Sequence, residues 1–215
     1  ALVSQTCDTM GVVVGDVADP FFGALVKGVA AVAMEQGLHL LMGNGFHRAQ
    51  QEREAIELLI GKRCEALVVH SKALGDEELV DYALRAPGMV LINRDIPSLR
   101  GRCIALNNRQ GAATATRHLL DLGHRHIAFL SSDHAIEDAL LRHQGYQDAL
   151  AEAEVFADPE LVESGMPNEE GGERAMLNLL AKGLPITAVV AYNDAMAAGA
   201  ISVLADNGLK VPEEV

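Results

Sequence analysis

Short apolar segments rich in β-branched residues alternate with longer amphipathic segments along almost the whole chain. This alternation predicts right-handed strand–helix–strand units, which build a parallel sheet covered by helices on both faces. The fold class is therefore expected to be α/β, with doubly wound parallel sheets. The predicted strands cover residues 10–14, 38–42, 66–70, 89–93, 103–106, 127–131, 161–163 and 188–192, and the predicted helices cover residues 20–36, 49–62, 77–85, 110–122, 137–152, 168–181 and 194–207.

The pattern also predicts two subdomains. Gly123 ends the fourth helix, and the alternation of strands and helices then starts again. We expect a first subdomain over residues 1–122, in which residues 1–9 form a connector, and a second over residues 123–215. The second subdomain is expected to be incomplete, because the chain stops where a further strand should begin and would leave an unpaired sheet edge.

The formal net charge of −13 disfavours several classes of partner. A surface this acidic repels phosphate, so we expect this stretch itself to bind neither nucleic acid nor an anionic membrane. The three cysteines, Cys7, Cys64 and Cys103, predict no disulfide framework and no metal site, which favours a reducing cytoplasm. The sequence contains no Walker loop, dinucleotide fingerprint or G-x-S-x-G elbow. We therefore expect a binding protein without a cofactor rather than an enzyme.

The turn after the first strand carries the clearest candidate site. Asp16 and Asp19 follow the strand, and Phe21 and Phe22 open the next helix behind Pro20. Ligands of open parallel sheets lie beyond the carboxyl ends of the strands, so carboxylates and aromatic rings at this turn suit the hydroxyl edges and C–H faces of a sugar. The alternative is that Asp19 only caps the helix and the phenylalanines belong to the core.

Other polar side chains follow the ends of later predicted strands. Each carries a planar amide, guanidinium or carboxylate group, which can form hydrogen bonds with two adjacent hydroxyl groups at once. These further candidates are Asn44, Asn93, Arg94, Asp138, Arg142, Asn193 and Asp194. Each has a structural alternative: Arg142 could pair with Asp138 on one helix face, and Asn193 could cap the last helix. His124 and His126 have no third ligand nearby in the sequence, which favours a turn over a metal site.

Several motifs, taken together and in this order, resemble the lactose/galactose repressor family, and in particular its galactose-repressor branch. They are GVVVGDVADPFFG at residues 11–23, MVLINR at 89–94, GHRHIAFL at 123–130, RHQGY at 142–146, AYNDAMAAG at 191–199 and NGLKVPEEV at 207–215. The resemblance implies a periplasmic-binding-protein-like core of two subdomains, with a ligand cleft between them. It also implies a cytoplasmic, homodimeric repressor whose operator affinity changes when a sugar binds.

The resemblance further implies partners and site residues. The effector would be a sugar, and D-galactose is the first candidate. Operator DNA would be bound by an N-terminal helix-turn-helix headpiece, which is expected to be absent from this chain. The family's C-terminal part is expected to be absent as well. The implied ligand contacts are Asp16, Asp19, Phe21, Phe22, Asn93, Arg94, Asp138, Arg142, Met166 and Asn193. Arg142 is expected to be the main donor, and Met166 departs from the aromatic residue of related binders. The alternative is a periplasmic sugar-binding protein of a transport system.

Overall fold

The computed structural model describes residues 7–215. These residues form two compact units, which divide between Leu106 and Asn107. Within residues 7–215 we find no helix of the length and apolarity that a bilayer crossing requires.

The first unit is a five-stranded parallel sheet with the strand order β2-β1-β3-β4-β5. Its strands are β1 (Cys7–Val14), β2 (His39–Asn44), β3 (Cys64–His70), β4 (Met89–Ile92) and β5 (Cys103–Ile104). Its helices are α1 (Pro20–Glu35), α2 (Ala49–Gly61) and α3 (Asp76–Arg85), with a 3₁₀ turn at Pro97–Leu99.

Both faces of the first sheet are covered, as the β-branched run in β1 predicts. Val13 packs into a cluster with Leu59 of α2 and Leu79 of α3. Val12 and Val14 point to the opposite face and pack with Phe22 of α1. All three valines are fully buried, so β1 lies at the centre of the unit rather than at its surface.

The second unit is a three-stranded parallel sheet with the order β7-β6-β8. Its strands are β6 (Ile127–Ser132), β7 (Val162–Gly165) and β8 (Ala188–Ala191), and its helices are α4 (Asn108–Asp121), α5 (Glu137–Glu152), α6 (Glu169–Ala181) and α7 (Asp194–Asp206). A 3₁₀ turn covers Pro159–Leu161. Every residue of β6 is buried, because α4 and α5 cover one face and α6 and α7 the other.

Glycines allow the helices of the second unit to pack closely. A Cβ atom at Gly145 of α5 would lie 2.0 Å from the carbonyl oxygen of Arg109 in α4. A Cβ atom at Gly199 of α7 would lie 2.1 Å from the carbonyl oxygen of Glu169 in α6. Side chains larger than hydrogen do not fit there, so these glycines fix how each helix pair packs.

The α/β fold with parallel sheets is confirmed, and some local predictions are wrong. Residues 7–9 belong to β1 and not to a connector, because Thr9 pairs with His39 of β2 through the backbone ladder; residues 1–6 lie outside the described residues. Asn93 does not continue β4, since its φ of 54° breaks the extended conformation.

The helix α4 lies with the second unit, whereas the predicted ranges 1–122 and 123–215 place it with the first. The physical reason is its packing on α5. Arg109 of α4 pairs with Asp148 at 2.5 Å, and Arg117 pairs with Glu152 at 2.8 Å. The close approach at Gly145 joins the same two helices.

Candidate functional site

The strand orders define where a ligand site is expected in each unit. In the first sheet the order reverses between β1 and β3, and in the second between β6 and β8. Ligands of open parallel sheets bind beyond the carboxyl ends of the strands at such reversals. A ligand is therefore expected to bind at the loops that follow these four strands.

In the first unit, Asp16 and Asp19 shape the turn after β1. One Asp16 oxygen accepts a hydrogen bond from the backbone N–H of Ala18 at 2.9 Å, and one Asp19 oxygen accepts from the N–H of Phe21 at 2.8 Å. The prediction that Asp19 caps α1 is confirmed. Each carboxylate has a second oxygen, which these bonds leave available.

The two phenylalanines that follow have different surroundings. Phe22 is buried in the core against Val12 and Val14, whereas the side chain of Phe21 is 48% exposed. The two rings meet edge to face, with centroids 5.1 Å apart. The Phe21 ring is therefore the one that a ligand can contact, and the buried Phe22 ring packs against it.

His70, at the end of β3, is a buried group that the sequence analysis did not single out. Its ring packs against Phe22 with centroids 4.7 Å apart and against His47 at 5.5 Å. Burial, helped by the nearby charges of His47, Lys72 and Arg94, lowers the pKa of His70 to about 3. The ring is therefore neutral near pH 7, and its Nδ1 atom has no hydrogen-bond partner among residues 7–215.

Asn93 and Arg94, after β4, are held by the loop that follows β3. The ammonium group of Lys72 donates to the carbonyl oxygen of Asn93. The guanidinium of Arg94 donates to the carbonyl oxygens of Ser71 at 3.3 Å and Leu74 at 3.0 Å. It also pairs with the Asp76 carboxylate at 2.7 Å. The Arg94 side chain is thus largely committed to the protein itself.

Glu52 of α2 organises this same loop and was missed by the sequence analysis. Its carboxylate is 1% exposed and accepts hydrogen bonds from the Ser71 hydroxyl at 2.5 Å and from three successive backbone N–H groups. Those N–H groups belong to Lys72, Ala73 and Leu74. The signal was present in the sequence, because Glu52 lies on the buried stripe of α2 with Ala55, Ile56 and Leu59.

In the second unit, Arg142 is held by α4 and by the end of β8. Its Nε–H donates to Asn108 Oδ1 at 2.8 Å, and its Nη1 donates to the carbonyl oxygen of Tyr192. The guanidinium carbon also lies 4.4 Å from the centroid of the Tyr192 ring. An arginine carries five N–H donors, so donors remain for a ligand.

Arg142 faces a pocket of about 490 Å³, which also contains Asn193 and is lined by residues of α4, β8 and the start of α7. Asn193 caps α7, as predicted: its Oδ1 accepts from the N–H of Met196 at 2.9 Å. Its Nδ2 donates to the carbonyl oxygen of Pro167 at 2.9 Å. Arg142, the expected main donor, and Asn193 therefore share one pocket.

Asp138 and Met166 are not among the residues that line this pocket. Asp138 is buried in the first turn of α5, and Met166 follows β7 with its side chain half exposed. His124 bonds to the Thr187 hydroxyl at 3.1 Å. Among residues 7–215, no group of three or more histidine, cysteine, aspartate or glutamate side chains could hold a metal ion.

Comparison with known proteins links this architecture to a family and to named relatives. The family described as "Periplasmic binding proteins and sugar binding domain of LacI family" matches residues 7–215. The HTH-type transcriptional regulator GalR of Escherichia coli (strain K12) is 56% identical over 215 residues, which are 100% of this chain and 63% of that regulator. The HTH-type transcriptional repressor CytR of the same strain is 32% identical over 207 residues, covering 96% of this chain and 61% of the repressor. The chain thus spans less than two thirds of the length of these relatives.

Solved structures agree with the sequence matches. The Escherichia coli transcriptional repressor AscG superposes with a TM-score of 0.86 at 31% identity, covering 96% of this chain and 76% of that chain. A complex of the transcriptional regulator CelR with cellobiose superposes with a TM-score of 0.78 at 28% identity, covering 97% and 65%. The expected periplasmic-binding-protein-like fold is confirmed, and the chain belongs to the family of periplasmic binding proteins and LacI-type sugar-binding domains.

Proposed function

We propose that this chain is the effector-binding core of a cytoplasmic transcription repressor. Its effector is a sugar, for which D-galactose is the first candidate. Operator DNA would be bound by a helix-turn-helix headpiece outside this chain. The support is the identity of 56% to GalR, together with the helix-turn-helix regulator names of the matched relatives. Those names favour a regulator over a periplasmic protein of a transport system.

The observation that carries the proposal is the guanidinium of Arg142 in a pocket shared with Asn193. A planar fork of N–H donors suits adjacent hydroxyl oxygens, and a buried donor made for a hydroxyl rejects ligands that lack it. The sugar would also contact side chains of the first unit, where Phe21 offers an exposed ring face. The further proposed contacts are Asp16, Asp19, Phe22, Asn93, Arg94, Asp138 and Met166.

The proposed mechanism is a shift between two states of the repressor. A ligand changes such an equilibrium only to the extent that it binds the two states with different affinity. The sugar would bind more tightly to the state with weak operator affinity, so its binding free energy would be coupled to DNA release.

Homodimerisation is part of the same proposal. Helix α1 buries only Phe22 and Ala33, while Val32 and Met34 are exposed, Met34 by 76%. Large apolar side chains exposed in this way are common at subunit interfaces. Sedimentation of the full-length protein as a monomer at micromolar concentration would contradict this part.

The test is operator release by the full-length protein. We expect Arg142→Ala to bind operator DNA like the wild type and to remain bound at D-galactose concentrations that release the wild type. The matched control is Arg174→Ala, because Arg174 is exposed and pairs with Glu170 on the surface of α6. Release of the Arg142→Ala variant at the wild-type sugar concentration would refute the assignment.

A further inference from the structure

Arg142 is held by groups from two elements other than its own helix. Asn108, the first residue of α4, accepts its Nε–H at 2.8 Å. Tyr192 accepts from Nη1 through its backbone carbonyl and places its ring 4.4 Å from the guanidinium carbon. Two hydrogen bonds therefore hold the N–H groups of the guanidinium, and the Tyr192 ring packs against it.

Both holding residues are themselves fixed by backbone structure. Asn107 caps α4, with its Oδ1 accepting from the N–H of Gln110 at 3.0 Å, and this fixes the start of the helix at Asn108. Tyr192 extends the pairing of β8 with β6, since its N–H donates to the carbonyl oxygen of Leu130 at 2.8 Å. The orientation of Arg142 thus follows from the fold and needs no ligand to set it.

We propose that Asn108 and Tyr192 are positioning residues of the sugar site and set its affinity by holding Arg142 in its binding orientation. The inference rests on the proposed function. Of the five N–H groups of the guanidinium, these contacts use two, and three remain for hydroxyl oxygens of the sugar. A long side chain that is already ordered loses less conformational entropy when the ligand binds.

The first experiment is calorimetric titration of D-galactose into the full-length protein and its variants. We expect Asn108→Ala to weaken binding about tenfold, in line with the entropy cost of immobilising a long side chain. Asn108→Asp keeps an acceptor oxygen and should restore most of the affinity. Asn178→Ala, an exposed asparagine on α6, is the matched control and should bind like the wild type.

The second experiment needs no ligand. In protein labelled with ¹⁵N-arginine, the Nε–H resonance of Arg142, identified by its loss in Arg142→Lys, should exchange slowly with solvent. Exchange should become faster in Asn108→Ala and stay slow in Asn108→Asp. Replacing the ring in Tyr192→Leu should shift the resonance, because the aromatic face lies against the guanidinium.

The two experiments separate this inference from the proposed function. If the wild type binds no D-galactose while the Arg142 resonance responds as expected, the proposed effector fails and the positioning role stands. If D-galactose binds equally well to the wild type and to Asn108→Ala, or if the exchange rate is the same in both, the positioning role is overturned.

Discussion

The two units use their polar side chains at the strand ends in opposite ways. In the first unit, Glu52 and Arg94 both hydrogen-bond to backbone groups of the loop after β3. The Asp16 and Asp19 carboxylates each accept a hydrogen bond from a backbone N–H group nearby in the chain, at Ala18 and Phe21. In the second unit, Arg142 is oriented by the protein and keeps donors available in a pocket. The first unit therefore uses these polar groups mainly to hold its own backbone, whereas the second keeps guanidinium donors available.

The charge differs as well. Residues 1–106 contain 13 acidic and 10 basic side chains, whereas residues 107–215 contain 17 acidic and 7 basic side chains. The cation in the pocket thus belongs to the more acidic unit.

The largest expected effect is on the loop that Glu52 holds. Glu52→Ala leaves a hydroxyl and three backbone N–H groups without their charged acceptor, which should cost about 3–5 kcal/mol of unfolding free energy. Glu54→Ala removes an exposed carboxylate of the same helix that pairs with Gln50, and should change stability by less than about 0.5 kcal/mol. Urea unfolding measures both, and equal effects would contradict the role of Glu52.

A smaller effect is expected where α5 meets α4. Gly145→Ala places a methyl group 2.0 Å from the backbone oxygen of Arg109 and should destabilise the protein by about 3 kcal/mol. Gly111→Ala in α4 meets open space and should be neutral or stabilise by up to about 1 kcal/mol through helix propensity. Thermal unfolding distinguishes them, and a stable Gly145→Ala variant would refute the close packing.

His70 makes the stability of the first unit depend on pH. Its folded pKa of about 3 lies below the ordinary value of 6.5, so the unfolded chain binds the additional proton as the pH falls. This contribution is present above about pH 6.5 and is lost toward pH 3, with about 2 kcal/mol gone at pH 5. His70→Phe should remove that part of the slope between pH 7 and 5 in urea unfolding. An unchanged slope would show that His70 does not titrate in this way.

The smallest effect concerns the cap of α1. Asp19→Ala should cost about 1 kcal/mol, because the N–H of Phe21 loses its acceptor, whereas Asp19→Asn keeps an oxygen there and should cost only a few tenths. Thermal unfolding of both variants measures the difference. If alanine and asparagine are equally stable, the capping role of Asp19 is wrong.

The fold was largely predictable because its signals are local. The β-branched run of β1 and the cap at Asp19 each lie within a few residues. The start of β1 and the placement of α4 were not predicted, since they depend on backbone pairing with β2 and on packing against α5. Hydrophobic periodicity records neither interaction.

The candidate site was predictable by residue type but not by how each residue is used. Arg142 and Asn193 come together because the β8 loop and α5 meet at the strand ends, as parallel topology requires. That the Arg94 guanidinium bonds to Ser71, Leu74 and Asp76 cannot be read from its neighbours in the sequence. The same holds for the buried ring of His70, whose contacts come from α1 and from the loop after β2.

Arg142 is tested most directly as the main sugar-binding donor by calorimetric titration of D-galactose, with D-glucose as control, into the full-length protein and its Arg142→Lys variant. Lysine keeps the charge but lacks the planar fork. We predict that the wild type binds D-galactose and not D-glucose, and that Arg142→Lys loses about a hundredfold in affinity, which corresponds to about two hydrogen bonds to a charged donor. Binding of D-galactose with equal affinity to both proteins would contradict the central role of Arg142.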